Sequence, residues 1–217
     1  MTMIKENTLC QVKDLGIIDY SKAYALQRDY VNILVQGGAQ TLLLCEHPPT
    51  LTLGRSTDEK HLLASQAELE ERSVRVHQID RGGDITLHAP GQLVVYPILD
   101  LANFGKDLRS YLNQLEQVVI DLLSEFGIVA NRFLGQTGVW AGTKKIASIG
   151  IGVRKWVSFH GLAVNVNTDL KLFSMIKPCG LDVEMTSISN IKSEEIDMYA
   201  VKERIVSSFC ENFVLSI

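Results

Sequence analysis

The chain has no surplus of positive charge, no long apolar run and no paired cysteines. Its 217 residues carry 21 Lys and Arg against 25 Asp and Glu, a net charge of −4. A protein-wide basic field for nucleic acid is thereby excluded, although a local basic patch stays open. No apolar stretch approaches the roughly 20 residues that span a bilayer, so no membrane span is expected. The opening residues Met1-Thr2-Met3-Ile4-Lys5-Glu6-Asn7 lack the apolar core of a signal peptide, and the expected compartment is the cytoplasm. Neither of the two common nucleotide-loop patterns, GxGxxG or GxxxxGK followed by Ser or Thr, occurs. Repeats, linkers and low-complexity tracts are also missing. What is present is a 46% hydrophobic composition, enough for one substantial core, and residues 1–217 are read as a single domain.

The four cysteines, Cys10, Cys45, Cys179 and Cys210, are scattered without CxxC spacing, which argues against a zinc knuckle. Taken singly, each reads as a buried reduced thiol. Cys45 follows Thr41-Leu42-Leu43-Leu44 and reads as a buried strand residue, and Cys210 falls in an apolar helical pattern. Cys179 differs. It lies in Lys177-Pro178-Cys179-Gly180, where proline and glycine disfavour a helix or a central strand, so an irregular loop is expected. Loops are common settings for reactive side chains. A thiol there could carry an acyl group as a thioester if something holds it as thiolate and something holds the developing oxyanion.

The spacing predicts a helix over 20–36, with Ser21 as its cap and Gly37-Gly38 as its stop. Short strands are expected at 41–45 and 50–53, and the alternation of 74–79 gives a further extended segment. The apolar run 92–99 reads as an interior strand, although Pro97 argues for an end or an edge. The clearest helix is 107–126. Asp107 caps it, Gly127 ends it, and Leu108, Tyr111, Leu112, Leu115, Val118, Val119, Leu122 and Phe126 form a core-facing stripe. Residues 138–142, 145–153 and 160–166 follow as consecutive strands with turns at Gly142-Thr143-Lys144 and Arg154-Lys155. A last helix covers about 197–214. Strands running around a few helices point to an α+β fold with a mixed, largely antiparallel sheet flanked by helices.

Three further segments carry chemistry-bearing residues. Arg81-Gly82-Gly83-Asp84-Ile85-Thr86-Leu87-His88-Ala89-Pro90-Gly91-Gln92 packs glycines that let backbone approach a ligand closely, and it reads equally as a bulged turn. In Lys144-Lys145-Ile146-Ala147-Ser148-Ile149-Gly150-Ile151, strict alternation puts Lys145, Ala147 and Ile149 on one face. A lysine entering an apolar strand either snorkels or is buried for a task, such as holding a thiolate. In Phe159-His160-Gly161-Leu162-Ala163-Val164-Asn165-Val166-Asn167, Gly161 either leaves room for an acyl chain or reflects ordinary strand packing.

In this order, the segments resemble lipoyl(octanoyl) transferases, members of the biotin/lipoate protein ligase superfamily. The likeness rests on Arg81-Gly82-Gly83, Thr86, His88, Pro90-Gly91-Gln92, Gly138-Val139-Trp140, Lys144-Lys145-Ile146, Ser148, Gly150, Ser158 to Ala163, Asn165-Val166-Asn167 and Pro178-Cys179-Gly180. It spans about residues 45–185. The resemblance implies the fold of a biotin or lipoate protein ligase catalytic domain. It implies Cys179 as the nucleophile that carries octanoate and Lys145 as its charge and proton partner. Arg81, Gly82, Gly83, Asp84, Ile85, Thr86, Leu87 and His88 are implied as acyl-pocket walls, with Ser148, Ile149, Gly150, Gly161, Leu162 and Ala163. The implied donor is octanoyl-acyl carrier protein. The implied acceptors are lipoyl domains of 2-oxoacid dehydrogenase E2 subunits and the glycine cleavage H protein. No cofactor and no metal is implied.

His88 and His160 compete with Lys145 as the base and are ranked as orienting or pocket residues. Arg132, Lys144, Arg154 and Lys155 are candidates for a basic patch that docks the acidic carrier. Two other readings stand beside transfer from a carrier. One is an ATP-dependent lipoate- or biotin-type ligase, which needs no nucleophilic cysteine. The other is a non-catalytic acyl-binding protein, which forms no covalent adduct.

Overall fold

The computed structural model of the protein describes residues 8–177 and 183–217. Cys179, with Pro178 and Gly180, lies outside the described residues. The main sheet contains β1 (Thr8–Ile17), β2 (Gln40–Glu46), β6 (Gln92–Ile98), β7 (Asn131–Phe133), β8 (Gln136–Ala141), β9 (Lys144–Arg154), β10 (Val157–Asn165) and β11 (Leu215–Ser216). Its strand order is β11-β1-β2-β6-β10-β9-β8-β7. The pairs on either side of β1 are parallel, and the pairs from β2 through β7 are antiparallel. A second sheet, β4-β3-β5, is built from β3 (Thr50–Leu53), β4 (Arg75–Gln78) and β5 (Ile85–His88). The expected α+β, largely antiparallel architecture is therefore present.

Helices cover both faces of the main sheet because each strand sends alternate apolar side chains to opposite sides. α3 (Leu108–Glu125) and α5 (Met198–Phe213) pack on one face. There Tyr111, Leu115, Val119 and Leu122 meet Leu42, Leu93, Val95, Leu162, Ile205 and Phe209. α1 (Tyr20–Val35) covers the other face, where Ala23 and Val31 meet Leu43, Cys45, Val94, Tyr96 and Ala163. Leu51, Ile85 and Leu87 of the small sheet form a third cluster with Phe173, Met175 and Ile176. The short helices α2 (Gln66–Glu71) and α4 (Ile188–Lys192) lie outside the layers the sequence predicts. Among the described residues, no helix is long and apolar enough to cross a membrane.

The long predicted helices form with the expected ends to within a residue or two. Asp107 caps α3 by accepting from the backbone N–H groups of Arg109 and Ser110, at 2.9 and 3.2 Å. At α1 the cap is Asp19 rather than Ser21, and its carboxylate accepts the Ser21 N–H at 2.9 Å. Aspartate is as good an N-cap as serine, so composition alone did not separate the two. The β9–β10 turn centres on Lys155 and Trp156, both at positive φ (51° and 65°), one residue later than expected. That backbone matches the twist of a two-residue hairpin.

Pro97 stands next to last in its strand, the end position that the sequence allows for it. It lies in β6, a central strand, paired with Leu42 of β2. Its missing N–H costs nothing because the β6–β10 ladder runs only as far as Val95 and Leu162. Beyond that point β10 departs from regular geometry, with His160 at φ 55°. The proline ring fills the gap. A Cβ built on Gly161 would stand 2.5 Å from Pro97 Cδ and 2.2 Å from the Val95 carbonyl oxygen.

Candidate active site

A cavity opens between the small sheet and the α1-covered face of the main sheet. Its wall includes Arg81, Gly83, Asp84, Ile85, Thr86, His88, Lys145, Ser148, Ile149, Gly150, Gly161, Leu162 and Ala163. Tyr20, Val94, Tyr96 and His160 complete it. Two residues named as wall candidates stand elsewhere. Leu87 is fully buried in the cluster beneath the small sheet and does not line the cavity. Gly82 lines an adjoining cavity instead.

The glycine-rich loop is held by its own arginine. Arg81 Nη2 donates to the carbonyl oxygen and the hydroxyl of Thr52, at 2.8 and 3.0 Å. The Gly82 N–H donates to the Ile151 carbonyl at 2.8 Å and ties the loop to β9. Gly150 permits this approach, since a Cβ there would lie 3.0 Å from Arg81 Cδ and from the Gly82 oxygen. Gly161 serves the same end by a different contact. Its missing Cβ is aimed at β6 backbone, so the residue secures close strand approach while still bordering the cavity.

Lys145 reaches the cavity through a bulge. Val139 pairs with Ala147 and Trp140 with Lys145, so β9 spends one extra residue against β8. The bulge shifts the alternation. Ile146 and Ala147 both enter the α3-side core, while Lys145 lines the cavity with Ser148 and Gly150. The expectation that Lys145 shares a face with Ala147 is thus corrected. Lys145 is only 2% exposed. Its Nζ donates to the Thr137 carbonyl at 3.1 Å and lies 5.1 Å from the Trp140 ring centroid. A carbonyl and an indole face partly replace the water that a buried cation loses. Gly138 makes space for it, because a Cβ there would meet Lys145 Cε at 2.6 Å.

The backbone of Lys145 also reaches the chain that follows the undescribed residues. Its N–H donates to the Glu184 carbonyl, and its carbonyl accepts the Thr186 N–H, both at 2.8 Å. On the near side, the Lys177 N–H donates to the His61 carbonyl at 2.7 Å.

Histidines and tyrosines line the α1 side of the cavity. His88 Nδ1 lies 2.8 Å from Gln92 Oε1. Gln92 Nε2 is spent on Leu87 O and Asn165 Oδ1, so the imidazole is the donor in that bond. Burial pushes the His88 pKa down to about 3, with the His47 ring adding to the effect. His160 lies 3.0 Å from Asp80, and burial lowers its pKa to about 4 despite that partner. Burial opposes ionisation of Asp80, but hydrogen bonds from His160 and Tyr24 hold its carboxyl below the ordinary value. Neither histidine of the cavity is therefore a proton acceptor suited to neutral pH.

This arrangement makes stability fall with acid. Above pH 6.5 both rings are neutral in the folded and the unfolded chain. Below it, the unfolded chain binds protons that the buried rings do not. Each ring then costs about 1.4 kcal/mol per pH unit until its folded pKa is reached. Urea midpoints should therefore drop between pH 6.5 and about 4, and His88→Gln should flatten the slope by one proton. An unchanged slope in that variant would contradict a neutral, buried His88.

Tyr20, Val94 and Tyr96 were not singled out from sequence. Val94 and Tyr96 alternate in β6 and so share a face, but nothing local says that the face meets a cavity. The proposed basic patch does not assemble. Arg132 is paired with Glu116 at 3.0 Å and Lys144 with Glu184 at 2.5 Å. Lys144 and Arg154 end an eleven-residue strand, roughly 30 Å apart.

A mixed sheet whose glycine loop borders a partly apolar cleft beside a buried lysine defines a class, and the sequence comparisons agree with it. Residues 19–210 match the family described as "Lipoyl protein ligase A/B catalytic domain", and the chain belongs to that family. Within it, an octanoyltransferase of Syntrophotalea carbinolica is 48% identical over 201 residues, covering 92% of each chain. An octanoyltransferase of Geotalea uraniireducens is 43% identical, over 90% of this chain and 89% of that one. Among solved structures, a lipoate-protein ligase A bound with ATP superposes with a TM-score of 0.76 at 16% identity, covering 97% of this chain and 87% of that one. The biotin protein ligase of Aquifex aeolicus, in complex with biotin and ATP, gives a TM-score of 0.59 at 17% identity, over 94% and 70% of the two chains. The last two likenesses concern the fold.

Proposed function

We propose that this protein is an acyltransferase of lipoate biosynthesis that moves an octanoyl group from acyl carrier protein to a lysine of a lipoyl domain, through a thioester on Cys179. The observation that carries the cysteine assignment is the pairing of Lys145 with Glu184 and Thr186. It fastens the chain just beyond Cys179 to the lysine that lines the acyl cavity.

In the first half-reaction the Cys179 thiolate attacks the carbonyl carbon of the octanoyl thioester. A new C–S bond forms and the bond to the carrier's pantetheine sulfur breaks. The Lys145 ammonium gives its proton to the departing thiolate, leaving a neutral amine. In the second half-reaction the acceptor lysine attacks the acyl-enzyme, a C–N bond forms and the Cys179 thiolate leaves. The neutral Lys145 amine takes one proton from the acceptor ammonium and re-forms the resting ion pair. The apolar wall of Ile85, Val94, Ile149, Leu162 and Ala163 suits a hydrocarbon chain. Acceptors in this scheme are the lipoyl domains of 2-oxoacid dehydrogenases and the glycine cleavage H protein, and the setting is the cytoplasm. The donor thioester is already activated, so ATP has no role.

Intact mass spectrometry after mixing with octanoyl-carrier should reveal one octanoyl adduct per chain. The adduct should vanish in Cys179→Ala and be discharged by a lipoyl domain. A native protein that stays unmodified while transferring octanoate would overturn the thioester route.

A further inference from the structure

The transfer chemistry does not balance with Lys145 alone. A thioester and a lysine ammonium become an amide and a thiol, and one proton is left over. Lys145 ends each cycle as it began, so that proton needs another acceptor. This inference rests on the acyl-transfer reading above.

The second, open cavity beside the acyl cleft contains a candidate. Lys145, Asp84, Gly83, Ile149 and Gly150 line both cavities, so Lys145 stands where they meet. His61 lines only the outer one. His61 Nδ1 lies 2.5 Å from Asp84 Oδ2, and the Asp84 Oδ1 accepts the Ile85 N–H at 2.7 Å, which fixes the carboxylate. With Nδ1 engaged by Asp84, the ring's other nitrogen, Nε2, is left outside that bond. The side chains of His61 and Asp84 are 24% and 11% exposed, so the ring is partly open to solvent. The His61 carbonyl accepts the Lys177 N–H, and Leu62 pairs with Ile176, which fixes His61 against the chain that leads to Cys179.

We propose that the outer cavity admits the acceptor's lysine side chain, and that the His61–Asp84 pair takes the surplus proton from the attacking amine and passes it to solvent. In the second half-reaction Lys145 removes the first proton of the acceptor ammonium. After the C–N bond forms, the nitrogen carries one proton too many. His61 Nε2 accepts it, Asp84 steadies the resulting imidazolium, and the proton leaves to solvent. Among the described residues the titratable side chains of this cavity are His61, Asp84 and Lys145. Lys177 stands on the strand segment beside Leu62, and the turn of His61 itself carries Asp58, Glu59 and Lys60.

The two half-reactions separate the claim from its foundation. His61→Asn keeps a donor toward Asp84 and removes the base. It should acylate Cys179 within about 3-fold of the native rate, yet discharge to a lipoyl domain about 10- to 100-fold more slowly near neutral pH. The native discharge rate should rise with pH and then level off as one group loses its proton. The variant should keep rising as solvent takes over. Equal losses in both half-reactions, or parallel pH profiles, would mean that His61 is structural and would overturn the relay. If His61→Asn does not fold, His61→Gln and the native pH profile carry the same comparison. A native protein that never acylates would instead sink the transfer reading itself.

Discussion

Lys145→Met should slow acylation of Cys179 by about 10³-fold, or ~4 kcal/mol of barrier. Methionine keeps most of the length and the apolar stem, so the packing at Gly138 should survive, while the ammonium's contact with the Trp140 ring is lost. What disappears is the ammonium that, in the proposed mechanism, would hold the thiolate and protonate the pantetheine sulfur. Single-turnover acylation, followed by mass or by released thiol, reads this step directly. His88→Ala is the companion measurement. His88 is buried, hydrogen-bonded to Gln92 and pushed down to about 3, so removing it should cost acylation far less than removing Lys145. If only the histidine variant lost the acyl-enzyme, the base would have been assigned to the wrong residue.

Gly161→Ala should destabilise the protein by ~3–5 kcal/mol and lower Tm by on the order of 10 °C. The added methyl would sit 2.2 Å from the Val95 carbonyl oxygen and 2.5 Å from Pro97 Cδ. Neither neighbour is a flexible side-chain end. One belongs to a central strand and the other to a ring fixed in that strand. Relief would need β10 to move off β6 and would carry His160 and Leu162 with it, so the acyl cleft should widen as stability falls. Calorimetry of the variant decides the matter. A Tm within a degree or so of the native value would show that the β6–β10 approach is looser than these contacts require.

The sequence was most legible where a residue type answers a local steric or chemical demand. Gly161 was read as room for a chain or as ordinary strand packing, and its contacts with Val95 and Pro97 show the close strand packing. The helical stripe from Leu108 to Phe126 announced α3, because a period of 3.6 leaves one apolar face. Lys145 stood out as a charge in an apolar strand, and it is buried with a carbonyl and an indole for company. Most of the residues that the resemblance implied as one wall do line one cavity, together with Tyr20, Val94 and Tyr96.

Other features depend on partners that the local sequence does not name. Strict alternation misplaced Lys145 relative to Ala147, because a bulge is set by how β8 and β9 register against each other. Pro97 argued for an end or an edge, and it stands next to last in an interior strand, a choice that the local run leaves open. The break in β10 at His160 removes the demand for its N–H. The basic side chains thought to form one docking patch are divided by the length of β9 and by acidic partners of their own.

By itself, then, the sequence determined the chemistry on offer: a thiol at Cys179, an amine at Lys145, and glycines that let backbones close around a cleft. Those are properties of single residues and their immediate neighbours. Only the tertiary structure decided that Lys145 faces the cleft, that its backbone holds the chain past Cys179, and that His61 meets Asp84 across 23 residues. Such pairings follow from which surfaces bury one another, and that is a property of the whole packed chain.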